Sequence, residues 1–212
     1  MNINSITAFE KCYIMQQDDI GRFTETLADG FCQYDMFRYI CFGKYNHDLM
    51  RLFWKVSLAL LPDDAICIAD SKEANSVLVY IRPNSKEPGL FDYIKAGGVK
   101  MVFKFGIRRI IRLILCNIKI EQVVKRYRKA DDGYLMAIAT RFDKQGQQYG
   151  KHLMKALLDY LDASGESCYL ETLKAKNVEL YQHFLFQLTS QTATKLGNLT
   201  IYAMQRPGNP TL

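Results

Sequence analysis

The order of strand-like and helix-like segments predicts an α/β domain on a mixed sheet. Three observations carry this. An uncharged, strand-length run, Tyr134–Thr140, is followed by a glycine-bearing turn and an amphipathic helix. Strand and helix periodicities alternate through the C-terminal third. No clean linker interrupts the 212 residues, so one domain spanning 1–212 is expected.

The elements follow in order. Residues 6–14 alternate as a first strand. Asp18 or Asp19 caps a helix with the apolar face Ile20, Phe23, Leu27 and Phe31, ending near Gly30. An aromatic stretch follows: Phe31, Tyr34, Phe37, Tyr39, Phe42 and Tyr45. Asn46 or Asp48 starts a second helix, stopped by Pro62. Ala65–Asp70 and Val77–Ile81 form a hairpin, and Pro83 ends its second strand.

Residues 90–129 form a helical insertion broken at Gly97-Gly98 and Gly106. Ile107, Ile110, Ile111, Ile114 and Ile118 share one face of it, and Arg108, Arg112, Lys119 and Arg126 another. Asp131-Asp132-Gly133 turns into the strand 134–140, with Tyr134, Met136, Ile138 and Thr140 on one side and Leu135, Ala137 and Ala139 on the other. A helix from Gly150 buries Leu153, Met154, Leu157, Leu158 and Leu161 and stops at Ser164-Gly165. Cys168–Thr172 is a strand, Asn177 opens a helix through Leu180, Tyr181, Phe184 and Leu185, and Leu199–Met204 is the last strand.

Composition is that of a globular protein, 49% hydrophobic and 24% charged. The N-terminal residues lack the basic and apolar regions of a signal peptide, and Ile110–Ile120 is too short to span a bilayer, so a cytoplasmic protein without stable membrane insertion is expected. Six scattered cysteines show no metal-type spacing, and no metal is expected. The net charge of +6 is uneven: Lys95 to Lys129 carries +10 and the remainder −4. Nucleic acid is not expected as a partner, because the basic stripe carries no base-stacking aromatics. A basic-surface protein that binds nucleic acid or membrane without catalysis is the main alternative class.

The turn Gln145-Gly146-Gln147-Gln148-Tyr149-Gly150 opens directly into a helix beginning Lys151-His152. Backbone N–H groups at a helix start are unpaired and point outward, which suits an anion. Cations at that end are electrostatically unfavourable unless an anion sits beside them. The turn is neither a P-loop nor a Gly-x-Gly-x-x-Gly dinucleotide pattern, which argues against an ATPase and a Rossmann dehydrogenase.

Strand 134–140, this turn and the later Leu170-Glu171-Thr172, Asn177 and Tyr181 resemble the GNAT superfamily of acetyl-CoA-dependent N-acetyltransferases. The likeness covers about residues 131–206; earlier residues match only in element order. The long insertion is similar to that of puromycin N-acetyltransferase-like members. The resemblance implies a mostly antiparallel central sheet and acetyl-CoA as cofactor. The family's loop reads Gln/Arg-x-x-Gly-x-Gly/Ala. Gln145 and Gly150 match its ends, Gln148 replaces the inner glycine, and Leu185-Phe186 stands where the family has Gly-Phe.

Carried over by position, the resemblance implies cofactor contacts from Ile138, Ala139, Thr140, Gln145, Gly146, Gln147, Gln148, Tyr149, Gly150, Lys151 and Asn177. Tyr181 is the expected general acid. The chemistry is direct attack of a primary amine of a small molecule on the thioester, through a tetrahedral oxyanion. A free alkylamine titrates near ~10.4, so a proton acceptor must help. Glu171 is the first choice of base, with His183 and His152 behind it. The stretch Phe31–Tyr45, with Asp35 and Arg38, would line the acceptor site and suit an apolar or aromatic amine. A CoA binder that has lost chemistry is a further reading, motivated by Gln148 and Leu185. The insertion serves either as a lid or in homodimer contacts.

Overall fold

The computed structural model describes residues 8–208. Among them seven strands form one sheet: β1 (Tyr13–Ile14), β2 (Ile66–Ala69), β3 (Ser76–Ile81), β4 (Gly133–Thr140), β5 (Cys168–Thr172), β6 (Gln187–Ala193) and β7 (Thr200–Arg206). Their spatial order is β1-β2-β3-β4-β5-β7-β6. Neighbours are antiparallel except β4 and β5, which run parallel. The helices are α1 (Ile20–Gly30), α2 (Asp35–Ile40), α3 (His47–Ala59), α4 (Leu90–Lys95), α5 (Gly98–Phe105), α6 (Ile107–Tyr127), α7 (Tyr149–Ser164) and α8 (Ala175–Gln182).

The sheet buries both faces. On one, Phe23 and Leu27 of α1, Phe37 of α2, Met50 and Trp54 of α3 and Leu113 of α6 pack with Val77, Val79, Ala137 and Ala139. On the other, Leu153, Leu157 and Leu161 of α7 pack with Ile68, Leu78, Leu135 and Leu170. Each fully buried leucine contributes about 1.5–3 kcal/mol. Asn46 caps α3 by accepting from Leu49 N–H at 3.0 Å, and Gly165 ends α7 in a left-handed conformation, both as the sequence predicts. The insertion breaks at Gly97 and Gly106, also as expected.

Several expectations change. The first strand shrinks to Tyr13–Ile14, and Ile6 and Thr7 lie outside the described residues. Phe9 stacks on Tyr160 with centroids 5.4 Å apart, and the chain turns through Cys12 N–H to Phe9 O instead of extending. Strand β6, not foreseen, is a largely exposed edge strand of polar residues that pairs only with β7, so apolar alternation could not announce it. Asn177 does not open α8; it is the third residue of a helix whose N-cap is Lys174. That helix stops at Gln182, and Leu185 lies beyond it at φ +66°.

The two sides of β4 also need correction. Val79 pairs with Ala137 but Tyr80 with Leu135, so Met136 is an extra, unpaired residue. This bulge turns Leu135 to the α7 side, together with Ile138, while Ala137 and Ala139 stay on the α1 side.

Of the isoleucine face on α6, only Ile110 is buried. Ile107, Ile111, Ile114 and Ile118 are exposed, and Leu113, Cys116 and Val123 take the inward positions.

Candidate active site

Strands β4 and β5 pair only at their starts, through Gly133 with Cys168 and Tyr134 with Tyr169. Beyond that they part, leaving a V-shaped opening in mid-sheet. The apex is pinned by Asp132, which is fully buried. It accepts from Ser167 Oγ at 2.5 Å, Gln205 Nε2 at 2.5 Å and Lys129 N–H at 2.8 Å. Gly133 N–H donates to Ser167 O at 2.9 Å. At the open end, α1 presses against β4 at Gly30, where a Cβ would lie 2.7 Å from Thr140 O. Asp29 Oδ2 accepts from Phe142 N–H at 2.5 Å and holds the chain as it leaves β4.

On one side of the opening lies a cleft of about 510 Å³. Ile138, Ala139, Thr140, Gln145, Gly146, Gln148, Tyr149, Gly150, Lys151, Asn177 and Tyr181 line it, bringing together nearly all of the predicted cofactor contacts. Gln147 is the exception: it is exposed, and its Nε2 donates to Asp143 O at 3.4 Å. The loop 145–148 is exposed, Gln145 Nε2 donates back to Thr140 O at 3.3 Å, and a Cβ added at Gly146 would meet nothing within 4 Å. The first hydrogen bond into α7 is His152 N–H to Gln148 O at 3.1 Å, so the amides of Tyr149, Gly150 and Lys151 precede the helical ladder. Gln148 adopts φ +65°, a left-handed conformation. Both positions where the family has glycine, 148 and 185, keep the backbone that glycine favours despite their side chains.

The cleft carries more positive charge than the expected Lys151 alone. Lys144, Lys151, Lys174 and Lys176 line it with no carboxylate among them. Burial, then the neighbouring Lys176, lowers the pKa of Lys174. The signal was the Lys174-Ala175-Lys176 run directly after β5, beside Asn177.

On the other side of the opening is a smaller pocket of about 200 Å³. Phe31, Tyr34, Ile138, Asn177 and Tyr181 belong to both cavities, so the two meet through the V. Its remaining walls mix the aromatic Phe37, Phe53, Trp54 and Tyr134 with aliphatic side chains such as Met36, Ile120 and Leu173, plus Asn117 of α6. Of the predicted aromatic stretch, Phe31, Tyr34 and Phe37 reach it. Tyr39 and Phe42 instead stack under Arg112, Tyr45 bonds to Ala28 O, and Asp35 and Arg38 are exposed.

Glu171 points into this pocket. Tyr134 Oη donates to its Oε1 at 2.6 Å, while Oε2 is sealed from solvent with no partner among the described residues. Burial raises its pKa to about 7, opposed by the Tyr134 hydrogen bond and by Arg128. A buried carboxylate oxygen without a partner is costly and marks a place where a polar group belongs. Tyr181, 8% exposed, sits at the junction, and burial, then Tyr34 and Glu171, holds its hydroxyl protonated well above the usual range. Tyr34 Oη accepts from Leu173 N–H at 2.8 Å, and Asn177 Nδ2 donates to Thr172 Oγ1 at 3.2 Å, so both brace the end of β5.

The two histidines considered as bases lie elsewhere. His183 Nδ1 is 2.6 Å from Glu179 O, His152 Nε2 is 3.3 Å from Lys11 O, and neither lines a wall of the two cavities.

Residues 106–185 match the model of the acetyltransferase (GNAT) family. No curated protein matches the sequence. Among solved structures, a histone acetyltransferase HPA2-related acetyltransferase from Corynebacterium glutamicum superposes with a TM-score of 0.61 at 16% identity, covering 95% of this chain and 99% of that one. The ribosomal-protein-S18-alanine N-acetyltransferase of Escherichia coli gives 0.54 at 12% identity, covering 95% of each chain. A mosquito arylalkylamine N-acetyltransferase-like protein gives 0.51 at 13% identity, covering 92% of this chain and 98% of that one. These likenesses are likenesses of fold. The family match spans α6, the central strand, the loop and the helices after it, and the solved structures share the fold of nearly the whole chain.

Proposed function

We propose that this protein transfers an acetyl group from acetyl-CoA to a primary amine of a small, apolar or aromatic molecule. The observation that supports it most is the junction of the two cavities. An acid-free cleft with four lysines and unladdered amides meets, through the parted strands, an aromatic pocket holding one carboxylate of raised pKa.

The cleft suits the coenzyme's diphosphate: the amides of Tyr149, Gly150 and Lys151 donate to it, and the lysines neutralise it. Asn177 holds the pantetheine arm. The donor supplies an activated acyl carbon at the V. There the unpaired β4 edge at Ile138–Thr140 offers N–H groups to the developing oxyanion. Glu171 accepts the ammonium proton of the acceptor, directly or through a water, and so frees its lone pair. Tyr181 donates to the departing thiolate.

The acceptor reaches Glu171 through a wider cavity of about 620 Å³, which shares Phe53, Asn117, Tyr134 and Met136 with the inner pocket. Tyr93, Met101 and Leu113 of the insertion and Val56 of α3 line it, so the insertion walls the acceptor path. The test is a mass-spectrometric screen of primary amines with acetyl-CoA. Acetylated aromatic or apolar amines are expected; acetyl-CoA binding without product across the panel would refute the transferase reading.

A further inference from the structure

We infer that the insertion α4–α6 docks the protein on the surface of an anionic lipid bilayer. Exposed large apolar side chains are concentrated here: twelve of the eighteen among the described residues lie between Leu90 and Ile118. Phe103, Phe91, Leu90 and Ile107 are 83, 77, 75 and 69% exposed. Along α6 the exposed isoleucines fall at spacings of four, three and four, one continuous stripe of helix surface. The opposite stripe is packed on the core, so the outward one is a surplus apolar face.

Charge decides what covers it. Lys95, Lys100, Lys104, Arg108 and Lys119 are exposed around this face, and Asp92 is the lone acid between residues 90 and 119. A second copy docked face to face would set these cations against their equals. Nucleic acid would satisfy the cations and leave the phenylalanines in water. An anionic bilayer satisfies both: the apolar side chains enter the acyl boundary while lysine and arginine heads stay at the phosphates. No helix among the described residues is long and apolar enough to cross a membrane, so the association is peripheral. Tyr93 belongs both to this face and to the wall of the 620 Å³ cavity, which places the acceptor path beside the bilayer.

The test is flotation of the full chain with vesicles of phosphatidylcholine alone and of phosphatidylcholine with phosphatidylglycerol. Binding is expected to the anionic vesicles, weakened by salt. A Phe91→Ser, Phe103→Ser, Ile107→Ser variant and a separate Lys100→Glu, Lys104→Glu variant should each lose at least about tenfold in partitioning. These positions are exposed, so an unchanged melting temperature controls for folding. Three outcomes would overturn the inference: no flotation with anionic vesicles, flotation insensitive to both variants, or a solution dimer that the apolar variant dissociates. Equally tight binding to polyaspartate, unaffected by the apolar variant, would also overturn it and point to an acidic protein partner.

Discussion

The two sides of the opening between β4 and β5 are built on different principles. The cofactor side is backbone and charge: one loop, one helix start and four lysines. The proposed acceptor side is side-chain chemistry: aromatic and aliphatic walls around a single carboxylate whose second oxygen has no partner among the described residues. A diphosphate needs only donors and positive field, so two short segments, 144–151 and 174–177, suffice. The proposed amine site draws instead on groups converging from α2, α3, α6, α8, β4 and β5.

That division can be broken by substitution. The largest effect is expected for Glu171→Gln, which should lower kcat by about 10²–10⁴-fold while acetyl-CoA affinity holds. In the native enzyme kcat/KM should rise with pH through about 7, as the carboxylate forms, and the variant should lose this inflection. Stability carries the opposite sign. A carboxyl whose folded pKa is raised from 4.5 to about 7 contributes stability fully below 4.5 and loses it as pH rises through 7. Glu171→Gln should flatten that decline in thermal melts.

Asp132→Ala should destabilise by about 3 kcal/mol, because it strips three donors at the apex of the V. Equal losses of cofactor affinity and acceptor turnover would show that both sides rest on the same apex. Tyr181→Phe should cut kcat by about tenfold or more and spare acetyl-CoA affinity; an unchanged rate removes it as the acid. Lys174→Ala with Lys176→Ala should do the reverse, raising KM for acetyl-CoA about tenfold with kcat nearly intact. The smallest effect is expected for Gln148→Gly, which relieves a left-handed side chain and should stabilise by about 1 kcal/mol. A loss of cofactor affinity in that variant would mean that the Gln148 side chain itself contacts the diphosphate.

Most of the cofactor side was legible in the sequence because its signals are local: β4 and the Gln145–Gly150 turn with the helix it opens are contiguous runs. The acceptor side was legible only through Glu171, Tyr181, Phe31, Tyr34 and Phe37. Trp54, Asn117 and Tyr134 come from distant elements, and no spacing rule connects them. The bulge at Met136 hid which face Leu135 takes, since one unpaired residue inverts a period-two reading. The rotation of α6 was equally hidden. The helix is apolar around most of its circumference, so hydrophobic pattern alone does not say whether the isoleucines or Leu113, Cys116 and Val123 face inward.

The central claim is that the lysine-lined cleft takes acetyl-CoA independently of the carboxylate across the V. Thermal melts with acetyl-CoA at about 100 times its Kd test it most directly. A rise of about 5–10 °C is predicted for the native protein and for Glu171→Gln, and at that same concentration a clearly smaller one for the Lys174→Ala, Lys176→Ala variant. No shift in the native protein, or a shift that the lysine variant keeps in full, would contradict the account.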